Sequence, residues 1–188
     1  EAPSSVSWIR RARRCAPSLS PKFFYASTPG LKDFLARGYV VAATDYSGLG
    51  TKGPHPYLVG ISETRAVLDL VRAAARLDKA HASNMFVAWG HSQGGHAALF
   101  TGQLAASYAP ELELAGVAAA APATDLATLL RDDGQTGAGK VLAALALWSW
   151  NRVYEAPLSN LLDEETLSGV NAIAEDCLES LTQGLVLA

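Results

Sequence analysis

The hydrophobic and polar positions of this chain change period several times. A continuous apolar run at Gly38-Tyr39-Val40-Val41-Ala42-Ala43-Thr44-Asp45-Tyr46 ends on a polar corner and gives way to a Gly- and Pro-rich loop, Ser47 to Gly60. An unbroken run bounded by turn residues predicts a buried parallel strand. From Ser62 to Asp78, Arg65, Asp69, Arg72 and Arg76 recur at helical spacing, with Val67, Leu68, Leu70, Val71, Ala74 and Leu77 on the other faces. That spacing predicts a helix with one stripe in water. Met85 to Trp89 reads as a second short buried strand, His96 to Leu104 as a buried helix ended by Pro110, and Leu114 to Ala121 as a third strand closed by Pro122. The order strand-helix-strand-helix-strand implies right-handed crossovers and a parallel sheet. Val40 to Thr44, Phe86 to Trp89 and Gly116 to Ala120 are the expected neighbours in it.

Beyond Thr124 the pattern becomes helical. Asp125 to Leu130, Lys140 to Arg152 and Glu164 to Leu181 carry helical spacing between breaks of Gly, Pro and Asp-Glu, and Gly184 to Leu187 is the one further strand candidate. In the middle helix Val141, Leu142, Leu145 and Trp148 fall on one face and Trp150 on the far side. Such a stripe is more often core than ligand site. Two regions result: an α/β core over 1–124 and a helical cap over 125–188. No internal repeat is evident.

Composition narrows the class. At 188 residues, 49% hydrophobic and net charge −3, the chain is long enough for one sizeable core and is neither disordered nor strongly basic. The arginines of Ser7-Trp8-Ile9-Arg10-Arg11-Ala12-Arg13-Arg14 stand without interleaved aromatics, so they read as solvated surface and no nucleic-acid partner is expected. No apolar run reaches the ~18 residues that a membrane-spanning helix needs. A signal-peptide pattern is not seen at the start, so the expectation is a cytosolic chain or one written without its leader.

The chemistry concentrates at Gly90-His91-Ser92-Gln93-Gly94. This fits G-x-S-x-G, the elbow that lifts a serine hydroxyl above a sheet on a sharp strand-to-helix turn. The predicted strand before it and helix after it supply the required context. Ser92 is therefore the candidate nucleophile, placed where the helix dipole favours developing negative charge, and the Gln93 backbone N–H is the candidate oxyanion donor. The plain alternative is a serine in an ordinary helix-capping turn.

The segments "GYVVAATDYSGLGT", "GPHPYLVG", "WGHSQGGHAALF" and "YAPELELAGVAAAAPATDL" together resemble the secretory lipase family of α/β-hydrolases, lipase A type. The resemblance runs from about Cys15 to the end. It implies an α/β-hydrolase fold, a secreted serine esterase acting on carboxylic esters, and a helical lid after the strand that follows the nucleophile helix. It maps the family's nucleophile onto Ser92. It also places the triad aspartate and histidine on strands beyond the lid, and neither is identified in this chain.

After Ser92 the one histidine is His96, a helical turn along the same helix, and packing or local hydrogen bonding is its expected role. His91 is expected to shape the turn, and His55 and His81 read as loop residues. The family's His-Gly loop, which supplies one side of the oxyanion hole, is replaced by Ser7 to Arg14, so the second donor is unassigned. Cys15 and Cys177 are an even pair that fits one long-range disulfide in a secreted protein, as the resemblance also implies; two unrelated buried thiols are the alternative. No His or thiol cluster suggests a metal, and no cofactor is expected.

The expected function is a serine hydrolase of lipase or carboxylesterase type, cleaving acylglycerol-like esters through a Ser92 acyl-enzyme, with lipid contact through the cap. The alternative is a non-catalytic truncated relative that binds lipid or a partner. A peptidase or acyltransferase on the same fold is a third reading, because fold does not fix chemistry.

Overall fold

A computed structural model describes residues 15–20, 22, 25 and 28–177. These residues form two compact units, one built from Pro17–Tyr46 and Gly60–Pro122, the other from Ser47–Val59, residues 123–177 and the described residues before Pro17. The arginine run at 10–14 and the strand candidate at 184–187 lie outside the described residues, whereas the helix expected to run from Glu164 to Leu181 already ends at Ala174.

In the first unit, helix α1 (Leu31–Ala36) precedes helix α2 (Gly60–Ala75), strand β1 (Met85–His91), helix α3 (Gln93–Tyr108) and strand β2 (Glu113–Ala120). The two strands pair in parallel, Phe86 opposite Leu114 and Trp89 opposite Ala118, with an irregularity between Phe86 and Val87. Helix α3 is the crossover between them. Its small inward Ala105 and Ala109, the residue just past its end, meet Leu68 of α2, and Phe86, Leu112 and Leu114 close the same cluster. Leu68 is fully buried. Arg72 ties α2 to the far end of α3: its guanidinium donates to Glu111, Asp69 and the Tyr108 carbonyl and lies over the Tyr108 ring. These contacts hold its pKa above the ordinary arginine range, chiefly through Glu111, whose own carboxyl is lowered by the same guanidinium.

The predicted strand at Val40 to Thr44 does not form. Residues 39–46 have no strand assignment, and the sheet among the described residues holds two strands. An apolar run supplies strand propensity, but a strand exists only through a ladder partner, and sequential order does not make two strands neighbours. Tyr39 and Val40 are 58% and 48% exposed, so the run also misses the burial its composition implied. What fixes its end is Asp45, whose carboxylate accepts from the backbone N–H and the hydroxyl of Ser18 at 2.9 and 2.5 Å.

In the second unit, three helices follow one another: α4 (Leu126–Asp133), α5 (Gly137–Tyr154) and α6 (Glu164–Ala174). Each begins at a polar cap: Asp125 accepts from the Thr128 N–H, Thr136 from the Gly139 N–H and Asp163 from the Thr166 N–H. Tyr57, Leu58, Ala123 and Ala146 are the buried centre, with Leu126, Leu142, Leu145 and Trp150 packed on it. The stripe of α5 is therefore rotated from the predicted one. Leu142, Leu145, Ala146 and Trp150 face the core, whereas Trp148 carries the Arg152 guanidinium 4.7 Å above its ring. Ala146 is small enough to be passed over in a search for large apolar residues, yet it centres the buried face.

Cys15 and Cys177 are joined by a disulfide that closes 162 residues of sequence. Protein prepared without reductant is expected to contain no titratable thiol, and peptide mapping should recover the Cys15 and Cys177 peptides as one cross-linked species. Two free thiols under oxidising conditions would contradict the bridge.

Candidate functional site

Strand β1 ends at His91 and helix α3 begins at Gln93, leaving Ser92 as the whole of the turn between them. Ser92 has φ 54° and ψ −116°, a region that L side chains rarely occupy and that costs of order 1–3 kcal/mol. Two backbone bonds hold it there. The Ser92 N–H donates to the Ala120 carbonyl at the end of β2, and the His96 N–H donates to the Ser92 carbonyl, both at 3.0 Å. The next residue of the β2 end, Ala121, also has positive φ, at 41°. Both strained residues thus sit at the carboxyl ends of parallel strands, where open α/β sheets place their ligand sites.

The glycines explain how the turn can be so tight. A side chain at Gly90 would overlap the Gly94 carbonyl, and one at Gly95 would press at 3.0 Å on the Ala120 carbonyl and on Pro122. Gly94 has open space where a Cβ would go. Close packing of the new helix on the sheet therefore depends on Gly95, and the first glycine of G-x-S-x-G is required because the second one's backbone lies against it.

Beneath the turn lies a polar cluster that the pattern analysis did not single out. Glu63, in the first turn of α2, is 1% exposed, and His96 is 5% exposed. One Glu63 carboxylate oxygen accepts from the Gln93 side-chain amide at 2.9 Å, and the other lies 2.6 Å from His96 Nδ1. A carboxylate only accepts, so Nδ1 carries the hydrogen of that contact. The His96 ring also lies against Phe100, centroids 4.6 Å apart. In sequence Glu63 looks like any acidic residue at a helix start, favoured there by the dipole, and nothing in the spacing separates it from a solvated one.

The other candidates fall as follows. Ser92 is partly exposed, and none of the four histidines hydrogen-bonds its side chain among the described residues. His96 has the packing and hydrogen-bonding role expected of it. His91 is exposed at the end of β1, His81 is exposed with φ 50°, and His55 meets the Ser47 carbonyl through Nδ1 at 3.0 Å. Gln93 starts α3, where first-turn N–H groups point along the axis rather than toward intrahelical acceptors. Among the described residues no group of three or more His, Cys, Asp or Glu could hold a metal, and no helix is long and apolar enough to cross a membrane.

Tyr46 adds a pH-dependent element to this cluster. Burial first, and then the nearby Glu63 charge, push its hydroxyl above the ordinary tyrosine range. A raised pKa on an acid means that the folded state favours the neutral phenol. The associated stability is therefore present below the unfolded value near ~10 and is lost as pH rises above it. Urea midpoints measured between pH 8 and 11 are expected to fall more steeply for the wild type than for Tyr46→Phe. Parallel slopes would contradict this.

A family model described as secretory lipase matches residues 26–186. The chain belongs to the secretory lipase family. Among its curated family relatives, "Lipase A" of Moesziomyces aphidis is 33% identical over 82 residues, 44% of this chain and 17% of that protein. "Secreted triacylglycerol lipase" of Malassezia globosa is 36% identical over 118 residues, 61% of this chain and 24% of its own length. A Mycobacterium tuberculosis protein named "Probable inactive lipase" is 30% identical over 152 residues, 79% of this chain and 32% of that one. This secretory lipase family chain thus spans between about a sixth and a third of the curated relatives it matches. A crystal structure of a "putative hydrolase" from Legionella pneumophila superposes with TM-score 0.73 at 18% identity, over 93% of this chain and 50% of that one. The fold is of the α/β-hydrolase type.

Proposed function

We propose that this chain carries the nucleophile of a serine lipase or carboxylesterase, with Ser92 as that nucleophile. The observation that carries the reading is the backbone of Ser92, strained at φ 54° between a parallel strand and a helix. In the proposed reaction Ser92 Oγ adds to the ester carbonyl carbon, and the Gln93 backbone N–H donates to the oxyanion. The intermediate collapses with loss of the alcohol. Water then cleaves the acyl-serine ester, releasing the carboxylic acid and restoring the hydroxyl.

The step needs a base to take the Ser92 proton and an acid to protonate the alcohol. His96 is poorly suited, since its Nδ1 is engaged by Glu63 and the residue is 5% exposed. In the family the histidine and aspartate lie on strands beyond the lid, and we assign the lid role to the segment 125–188. The 188-residue chain alone is accordingly read as inert toward esters, with turnover indistinguishable from background. The family match and the Cys15–Cys177 bridge support a secreted protein acting on acylglycerol-like esters.

The second reading, a non-catalytic binder of lipid or a partner, is favoured by one observation: no histidine reaches Ser92 among the described residues. The two are separated by joining the chain to the triad-bearing C-terminal strands of a fungal relative. Turnover that depends on Ser92 supports the enzyme; a folded but inert chimera supports the binder.

A further inference from the structure

We infer that Glu63 is the positioning residue of the elbow, a buried strut that holds the first turn of α3 and with it the Gln93 backbone N–H. The inference rests on the reading of Ser92 as nucleophile and extends it to a residue on a different helix.

A carboxylate removed from water costs several kcal/mol unless its oxygens are fully engaged. At 1% exposure Glu63 is such a group, and both of its oxygens are engaged by side chains from one short stretch of helix, Gln93 and His96. Those residues are three apart, so they lie on the same helix face. A single carboxylate bridging them resists rotation of the first turn about the helix axis. Packing of α2 on α3 does not require it, because Leu68 already meets Ala105 and Ala109 further along both helices. The polar clamp is instead placed at the end of α3 that abuts Ser92.

Position explains why a charge is tolerated there. Glu63 sits in the first turn of α2, where the helix dipole favours an anion. Gln93 and His96 hydrogen-bond it, and Tyr46 lies near enough for its charge to act on the phenol. Rotation of the α3 start by a fraction of a residue would move the Gln93 N–H relative to Ser92 Oγ, and a misplacement of about 1 Å can cost roughly 10²-fold in rate.

Amide exchange and imidazole proton NMR on the 188-residue chain test this without requiring turnover. The Ser92 and His96 amides are each hydrogen-bonded within the elbow. In Glu63→Gln both should exchange about 10-fold faster, the loss of hydrogen bonds to a charged group, while a ladder amide such as Ala118, paired opposite Trp89, keeps its wild-type rate. The downfield His96 Nδ1–H resonance should disappear. Gln93→Ala, which cuts one link and keeps the carboxylate, should also speed the elbow amides but retain that resonance, and it carries the test if Glu63→Gln does not fold. Elbow amides unchanged in the folded variants, or accelerated no more than the ladder, would overturn the inference. Because exchange is independent of chemistry at Ser92, that failure removes the strut alone, whereas absence of Ser92-dependent turnover in the chimera removes the nucleophile alone.

Discussion

Gly90→Ala is expected to destabilise the chain by at least about 3 kcal/mol, whereas Gly94→Ala, the other glycine of the same motif, should change stability by less than about 1 kcal/mol. The difference is geometric. A methyl group on Gly90 overlaps the backbone carbonyl of Gly94, and a backbone atom cannot swing aside as a flexible side chain would. Relief requires the start of α3 to move off β1, which breaks the bonds from Ser92 N–H to Ala120 and from His96 N–H to Ser92. Overpacking in well-packed interiors costs roughly 1–3 kcal/mol, and a clash with fixed backbone lies at or above the top of that range. At Gly94 the space for a Cβ is open, and alanine's better helix propensity offsets part of any local cost. Urea denaturation of both variants checks the pair. Equal losses would mean that the motif's glycines act through the backbone conformations they permit rather than through the crossing of strand and helix.

Much of this arrangement was legible from the order of residues. The strand-turn-helix around Ser92 follows from an apolar run that stops at Gly90 and a helical run that starts after it. The three later helices follow from the periodic stretches at 125–130, 140–152 and from Glu164 onward, though the second begins a turn earlier, at Gly137, where the Thr136 side chain caps it. Pattern misled where tertiary context decides. The run at Gly38 to Tyr46 has strand composition, but no ladder partner among the described residues. Trp148 and Trp150 exchanged roles because the buried face of α5 is centred on Ala146, which contributes little to an apolar stripe read by eye. Glu63 escaped notice for a similar reason. Its burial is set by Gln93 and His96, thirty or more positions along the chain, and by no local signal.

The exposed apolar side chains of β1 bear on the question of activity. Met85, Val87 and Trp89 are 54%, 56% and 40% exposed, on the face opposite α3. Parallel sheets are ordinarily covered on both faces, and among the described residues α3 covers one face of this pair. A serine hydroxyl without a base is a weak nucleophile near neutral pH. Even in an intact triad enzyme stripped of its triad, the oxyanion hole and binding leave roughly 10³- to 10⁴-fold acceleration over water. Here the second oxyanion donor is unassigned, so the chain by itself should fall below that.

The central claim is that Ser92 is a nucleophile whose base is not among the residues described here. It is tested most directly by p-nitrophenyl butyrate hydrolysis in four proteins: the 188-residue chain, the chimera bearing a relative's triad-bearing strands, and the Ser92→Ala form of each. The chain and its Ser92→Ala form are expected to be indistinguishable from background, whereas the chimera turns over and loses at least about 10³-fold on Ser92→Ala. Robust turnover by the 188-residue chain that vanishes in Ser92→Ala would contradict it, and would put His96 or another unrecognised group in the role of base.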